Sequence, residues 1–172
     1  MFIIFLFHSK VNPPHSKNTE IIGNPQILWY NPSHLTESRP ISMSNDRIRK
    51  NAFMHHCHVE PVDLTQPDRA RFRMEGRPDL LNPHGVFHGG ALYTLADNAA
   101  GYAAHSDGRR YVTQTSSFHF LRNQGGGIVY GEGRVIHRGH TSCLAAVEIT
   151  SADGTLLATG EFTFFCLSSR ED

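Results

Sequence analysis

The chain has 172 residues, and its 16 basic and 16 acidic side chains cancel. No net field draws it to nucleic acid or to an anionic membrane, so neither is expected as a partner. Apolar residues make up 39% and charged residues 19%, ordinary for a globular protein long enough to bury one core and carry a tail.

The amino-terminal MFIIFLF is apolar but only seven residues long. A membrane helix needs about 20 such residues, and a secretory signal needs a basic start. Three cysteines without motif spacing, Cys57, Cys143 and Cys166, suit reduced thiols and predict a cytoplasmic protein.

Residues 1–52 read as a disordered or loosely attached extension. Asn, Pro, Ser, Thr and His dominate, and no hydrophobic period persists. All three lysines, Lys10, Lys17 and Lys50, lie there. Met43 opens MSNDRIRKNAF and is a plausible independent start. The folded domain is expected over 53–170.

Its elements follow in order. CHVEPV and ARFRMEG predict early strands, the second by its alternation of apolar and charged residues. A helix is expected at about 88–104. Four strands follow, at 111–122, 127–138, 141–151 and 155–167, each rich in β-branched and aromatic residues. Short turns separate them, including the hairpin signal Asp153-Gly154. The spacing predicts an antiparallel meander of sequential neighbours. The helix carries Leu92, Leu95, Ala96, Ala99 and Ala103 and reads as enclosed. The fold class is therefore α+β, with a curved antiparallel sheet wrapped around one long helix.

The chemistry concentrates in NPHGVFHGGALYTLADNAAG, residues 82–101. The first N–H groups of a helix lack internal acceptors and carry the positive end of its dipole. A glycine pair there lets a ligand come close. The Gly89 N–H is the candidate donor to a developing oxyanion. Asp97 interrupts a run of small apolar residues, where a carboxylate needs a partner or a task. It is the candidate general base or nucleophile. Gly89 and Asp97 are eight residues apart, about 12 Å along a helix and about 80° around it. One carbonyl does not reach both on a single helix. Two antiparallel helices would bring the start of one beside the middle of the other, so a site shared in a twofold dimer is expected.

The pattern N-x-x-G-x-x-H-G-G followed by L-A-D, carried by Asn82, Gly85, His88, Gly89, Gly90, Leu95, Ala96 and Asp97, resembles the hotdog-fold acyl-CoA thioesterases, in particular their PaaI-like branch. The resemblance extends through VTQTSSFHFLR and the later strands, over about residues 53–167. It implies hydrolysis of an aryl- or medium-chain acyl-CoA, with coenzyme A as part of the substrate and no separate cofactor. It implies Gly89 as oxyanion donor and Asn82 as orienting residue. Asp97 of the partner chain would act on the water, which the Thr113 hydroxyl would help to hold. His88 would shape the site. Gly90, Arg138, Gly139 and His140 fall where coenzyme A is contacted, Arg138 as a phosphate partner. Homodimers are implied, and dimers of these dimers. The alternative is a non-catalytic acyl-CoA-binding module. A hotdog dehydratase fits the pattern least. The cluster His55-His56-Cys57-His58 lacks a fourth zinc ligand, and no metal site is expected.

Overall fold

The computed structural model of the protein describes residues 45–168. Met43 and the segment before it lie outside the described residues. Two short helices come first, α1 (Asn45–Lys50) and α2 (Ala52–His56). Strands β1 (Val59–Asp63) and β2 (Arg69–Gly76) form a hairpin. A 3-10 turn at Pro78–Leu80 leads to the long helix α3 (Gly89–His105). Then come β3 (Arg110–Phe120), β4 (Gly127–Arg138), β5 (Ser142–Ser151) and β6 (Leu156–Ser168). No helix among the described residues is long and apolar enough to cross a membrane.

The six strands make one antiparallel sheet in the order β1-β2-β4-β5-β6-β3. This corrects the expected meander. The run β4-β5-β6 is sequential, but β3 pairs with β6 and ends the sheet rather than lying beside β4. The chain leaves β3 at Phe120 and crosses the end of the sheet to Gly127. The N–H groups of Leu121 and Arg122 both donate to the Leu157 carbonyl on the way, at 2.8 and 2.9 Å. Six linking residues extend to about 20 Å, enough for three strand spacings of about 4.8 Å. A short connection limits reach and does not by itself dictate adjacency.

Helix α3 packs on the concave face. Its buried residues are Ala91, Leu92, Leu95, Ala96, Ala99, Ala100, Ala103 and Ala104. They follow the three- and four-residue spacing of one broad helical face. The opposite row, Tyr93, Thr94, Asp97, Asn98 and Gly101, is left partly open. Enclosure by the sheet is therefore one-sided, and the acidic residue sits on the open side.

The contact depends on β4, where residues 130–135 read YGEGRV. A methyl group on Gly133 would lie 2.3 Å from the Ala99 carbonyl oxygen and 2.7 Å from the Ala100 nitrogen. One on Gly131 would lie 2.9 Å from the Leu95 side chain. The helix backbone rests directly on the strand at Gly133, and backbone does not step aside as a flexible side chain does. Beneath and around it, Phe72, Met74, Val129, Val147, Ile149 and Phe162 fill the core with 1% or less of their surface exposed. Gly133→Ala is expected to destabilise the fold by about 3 kcal/mol, the upper end of overpacking costs. Urea unfolding followed by circular dichroism measures this, and an unchanged midpoint would refute the close contact.

Candidate active site

The loop before α3 is built by hydrogen bonds to Asn82. Its Oδ1 accepts from the His84 N–H at 2.9 Å and the Val86 N–H at 3.4 Å. Its backbone N–H donates to the Val86 carbonyl at 2.8 Å. Gly85 closes the turn at φ +74°, a conformation that suits glycine. Phe87 is thereby driven fully into the core. Its backbone is held on both sides, by the Gln124 carbonyl and by Asn123 Nδ2. The acceptor half of Asn82 thus shapes the loop. Its Nδ2 donor is outside these bonds.

His88 is the cap of α3. Its Nδ1 accepts from the Gly90 N–H at 2.9 Å, which leaves the other ring nitrogen to carry the proton of the neutral ring. Gly90, expected to contact coenzyme A, therefore has its amide engaged within the chain. The Gly89 N–H lies at the first helical position, where the helix supplies no acceptor. A methyl group on Gly89 would come 3.3 Å from the Phe120 ring. Phe120 is 55% exposed and stands beside the helix start.

Asp97 lies two turns further on, at the wall of a cavity of about 340 Å³ between α3, β3 and β6. Its Oδ1 accepts from the Thr113 hydroxyl at 2.7 Å. Burial pushes its pKa above the ordinary carboxylate value, and the Thr113 bond partly opposes that rise. The other titratable groups at the wall are less available. Burial, the largest influence on the Tyr111 hydroxyl, helps to push its pKa up to about 12, so it stays protonated. His105 uses Nδ1 on the Gly101 carbonyl at 2.7 Å and Nε2 on the Tyr111 N–H at 3.1 Å. Asp97 is left as the proton acceptor of the cavity.

Thr113 reaches Asp97 because of an irregularity in β3. The register with β6 slips between Thr113 and Thr115. The extra residue resets the alternation of faces. Thr113 bonds Asp97, Ser116 meets the Tyr93 hydroxyl at 2.6 Å, Phe118 packs on Tyr93, and Phe120 covers Gly89. All four side chains face α3.

Arg138 is not held out for a phosphate. Its guanidinium donates to the Ala104 carbonyl at 2.6 Å and the Ala103 carbonyl at 3.3 Å, closing the carboxyl end of α3. It also pairs with Asp68 at 2.6 Å and Asp107 at 2.9 Å. Arg109 Nε shares the same Oδ2 of Asp107, at 2.6 Å, its backbone N–H donates to Oδ1, and its guanidinium donates to the carbonyls of Gly139 and His140, at 3.2 and 3.0 Å. The Gly139 N–H donates to Ser142. Of the four residues expected at coenzyme A, Arg138 thus fastens the end of the helix, and the backbone carbonyls of Gly139 and His140 hold Arg109 beside it. Burial opposes charge on Asp107, yet Arg109 and Arg138 together hold its carboxyl below the usual value.

Much of the cavity wall lies outside the residues that the sequence marks, Asn51, Asn98, Tyr102, His105, Tyr111 and Val112 among them. Asn98 follows Asp97 in the same helix, and a second polar residue in that run was a usable signal. Phe164 was one phenylalanine among several. Asn51 belongs to the segment read as an extension, and nothing local connects it to α3. The His55–His58 cluster forms the end of α2 and the turn into β1, with Cys57 turned into the core.

Comparison with known proteins agrees with this arrangement. The model of the thioesterase superfamily matches residues 84–158, from the glycine loop into β6. Rv1847 of Mycobacterium tuberculosis is 33% identical over 110 residues, covering 60% of this chain and 79% of that protein. The acyl-coenzyme A thioesterase PaaI of Escherichia coli is 34% identical over 93 residues, covering 52% of this chain and 66% of its own. The structure of smu.793 from Streptococcus mutans, bound to acetyl CoA, superposes with a TM-score of 0.63 at 28% identity, over 66% of this chain and 91% of that one. The glycine-marked helix start, the carboxylate two turns along it and the wrapped sheet therefore place this chain in the thioesterase superfamily, hydrolases of thioester bonds with the hotdog fold, among the relatives of PaaI.

Proposed function

We propose that the protein hydrolyses acyl-CoA thioesters, with Asp97 as general base and the Gly89 N–H as oxyanion donor. The observation that carries this reading is Asp97 itself, a partly buried carboxylate at a cavity wall, bonded to the Thr113 hydroxyl and, among the described residues, to no cation. Asp97 takes a proton from water as the water oxygen bonds to the thioester carbon. The carbonyl oxygen gains negative charge against the Gly89 N–H. The carbon–sulfur bond then breaks, and Asp97 returns the proton to the departing sulfur. The products are a carboxylic acid and free coenzyme A. The acetyl CoA bound in the Streptococcus mutans relative supports coenzyme A as the carrier. Tyr102, Phe164 and Val112 line the cavity beside Gly101 and favour an apolar acyl group, aryl or of medium length.

The two halves of the chemistry lie about 12 Å apart on α3, so a second copy completes the site. The free edge of β3 suits that copy, because an unpaired strand edge templates another strand. The irregularity at Gln114 selects a register. With Ser117 opposite itself on the twofold axis, Ser116 faces Phe118 of the second copy. The doubled step at Gln114–Thr115 then brings Thr113 opposite Phe120. Asp97 of one protomer thereby approaches Gly89 of the other, and every inward side chain remains inward.

Asp97→Asn is expected to lower kcat by about 100-fold or more with an unchanged fold; thiol release from a panel of aliphatic and aryl CoA esters measures this, and wild-type turnover by the variant would refute the base. Thr113→Val removes a bond that favours the carboxylate, so the acid limb of the pH–rate profile moves to higher pH; no movement would remove Thr113 from the site. Differently tagged Asp97→Ala and Asn82→Ala chains, purified as mixed dimers, regain about half the activity at one intact site, and failure to regain any counts against sharing. Ser117→Cys forms a disulfide between copies on mild oxidation, identified by mass spectrometry; a monomeric product would refute this register while leaving the hydrolysis reading intact.

A further inference from the structure

The wall around Asp97 is drawn from α3, β3 and β6, with the exception of Asn51 at the corner between α1 and α2. Asn51 makes two side-chain bonds of different kinds. Its Oδ1 accepts from the Met54 N–H at 3.1 Å and so caps α2. Its Nδ2 donates to Oδ1 of Asn98 at 3.2 Å. Asn98 is the residue after Asp97, and its own Nδ2 donates to the Thr94 carbonyl at 2.8 Å, which orients its amide on the open face of α3. One turn earlier, the Thr94 side chain stands beside the Cys57 thiol. The segment from Asn51 to Cys57 thus touches α3 at two positions four residues apart, on either side of the level of Asp97. Met54, fully buried, anchors α2 in the core. Asn51 is the point at which this anchored segment meets the reactive cavity.

We propose that Asn51 is a positioning residue, which clamps the amino-terminal helical segment to Asn98 and thereby seals one side of the Asp97 cavity from water. This role rests on the hydrolytic reading of the cavity. Without the clamp, the corner between α1 and α2 lifts from α3 and water reaches the carboxylate. Two consequences follow. The acyl group loses a wall, so KM rises. Asp97 loses part of the desolvation that makes it a stronger base, so its pKa falls. The second effect is opposite in sign to that of Thr113→Val. The ionisable groups around Asp97 are Tyr102 and His105 of α3, Tyr111 of β3 and, next to Asn51 in sequence, Lys50; β6 presents Phe164, which has no ionisable group. His105 and Tyr111 keep their bonds to the backbone and to Asp107 in the variant, so they do not mimic the shift.

Asn51→Ser separates the two bonds, since serine still caps a helix but is too short to reach Asn98. Carbon-detected NMR titration of the Asp97 carboxyl in the wild-type protein and in this variant reads the seal directly, without turnover. The expected result is a fall of about half a unit or more in the Asp97 pKa. A several-fold rise in KM and an acid limb moved to lower pH accompany it, with the melting temperature nearly unchanged. Asn98→Ala, which removes the other end of the clamp, gives the same shift. An Asp97 pKa equal to that of the wild type in both variants overturns the proposal. A wild-type protein that releases no thiol from any ester, while the titration still shifts, overturns the hydrolytic reading and leaves the clamp standing.

Discussion

The contact between the backbone of α3 at Ala99 and the backbone of β4 at Gly133 is the constraint on which the rest of the molecule depends. No side chain separates the two there. The alanines at 96, 99, 100, 103 and 104 leave the helix thin enough to lie down on the sheet, and the glycines of β4 give it a floor. With the helix so low, the larger core residues close tightly against it. The side turned from the sheet then lies at the level of β3, close enough for a threonine hydroxyl to reach Asp97. A helix raised by even one methyl group would move the carboxylate and the amide of Gly89 together with it.

Electrostatics divides the helix into two ends with different tasks. At the carboxyl end, Arg138 and Arg109 surround Asp107, and the carboxylate is held firmly ionised. Those charges satisfy one another and the last carbonyls of α3. Midway along the helix, Asp97 has a hydroxyl and, among the described residues, no cation, and burial prevails there, raising its affinity for a proton. The same residue type is thus held ionised in one place and given a raised proton affinity in another, and the difference lies in what stands beside it.

The edge strand β3 sets the side chains that face this part of the helix. One displaced residue in β3 turns Thr113, Ser116, Phe118 and Phe120 toward α3 together. Without it, Thr113 and Phe120, seven residues apart, would face opposite sides of the sheet. The irregularity therefore serves the hydroxyl on Asp97 and the aromatic cover over Gly89 at once.

Much of this was legible before any coordinates. Local alternation and turn chemistry marked the strands to within a residue or two, because those signals depend only on near neighbours in the chain. The glycine pair and Asp97 stood out since their residue types conflict with an ordinary helix, and conflict with local rules is where function shows. The order of the strands did not follow from local rules. The link from β3 to β4 is equally short whether the strands are neighbours or not, and the curl of the sheet around α3 decided between them. The task of Arg138 was likewise invisible, because its partners Asp68, Ala104 and Asp107 are 30 or more residues away in sequence. Asn51 makes the same point most clearly. Composition assigns it to a tail, and only the folded chain brings its amide to Asn98, 47 residues later, beside Asp97. Periodicity and residue type report what a segment prefers; the contacts between distant segments, which the packing of α3 on its sheet creates, determine what each polar group there does.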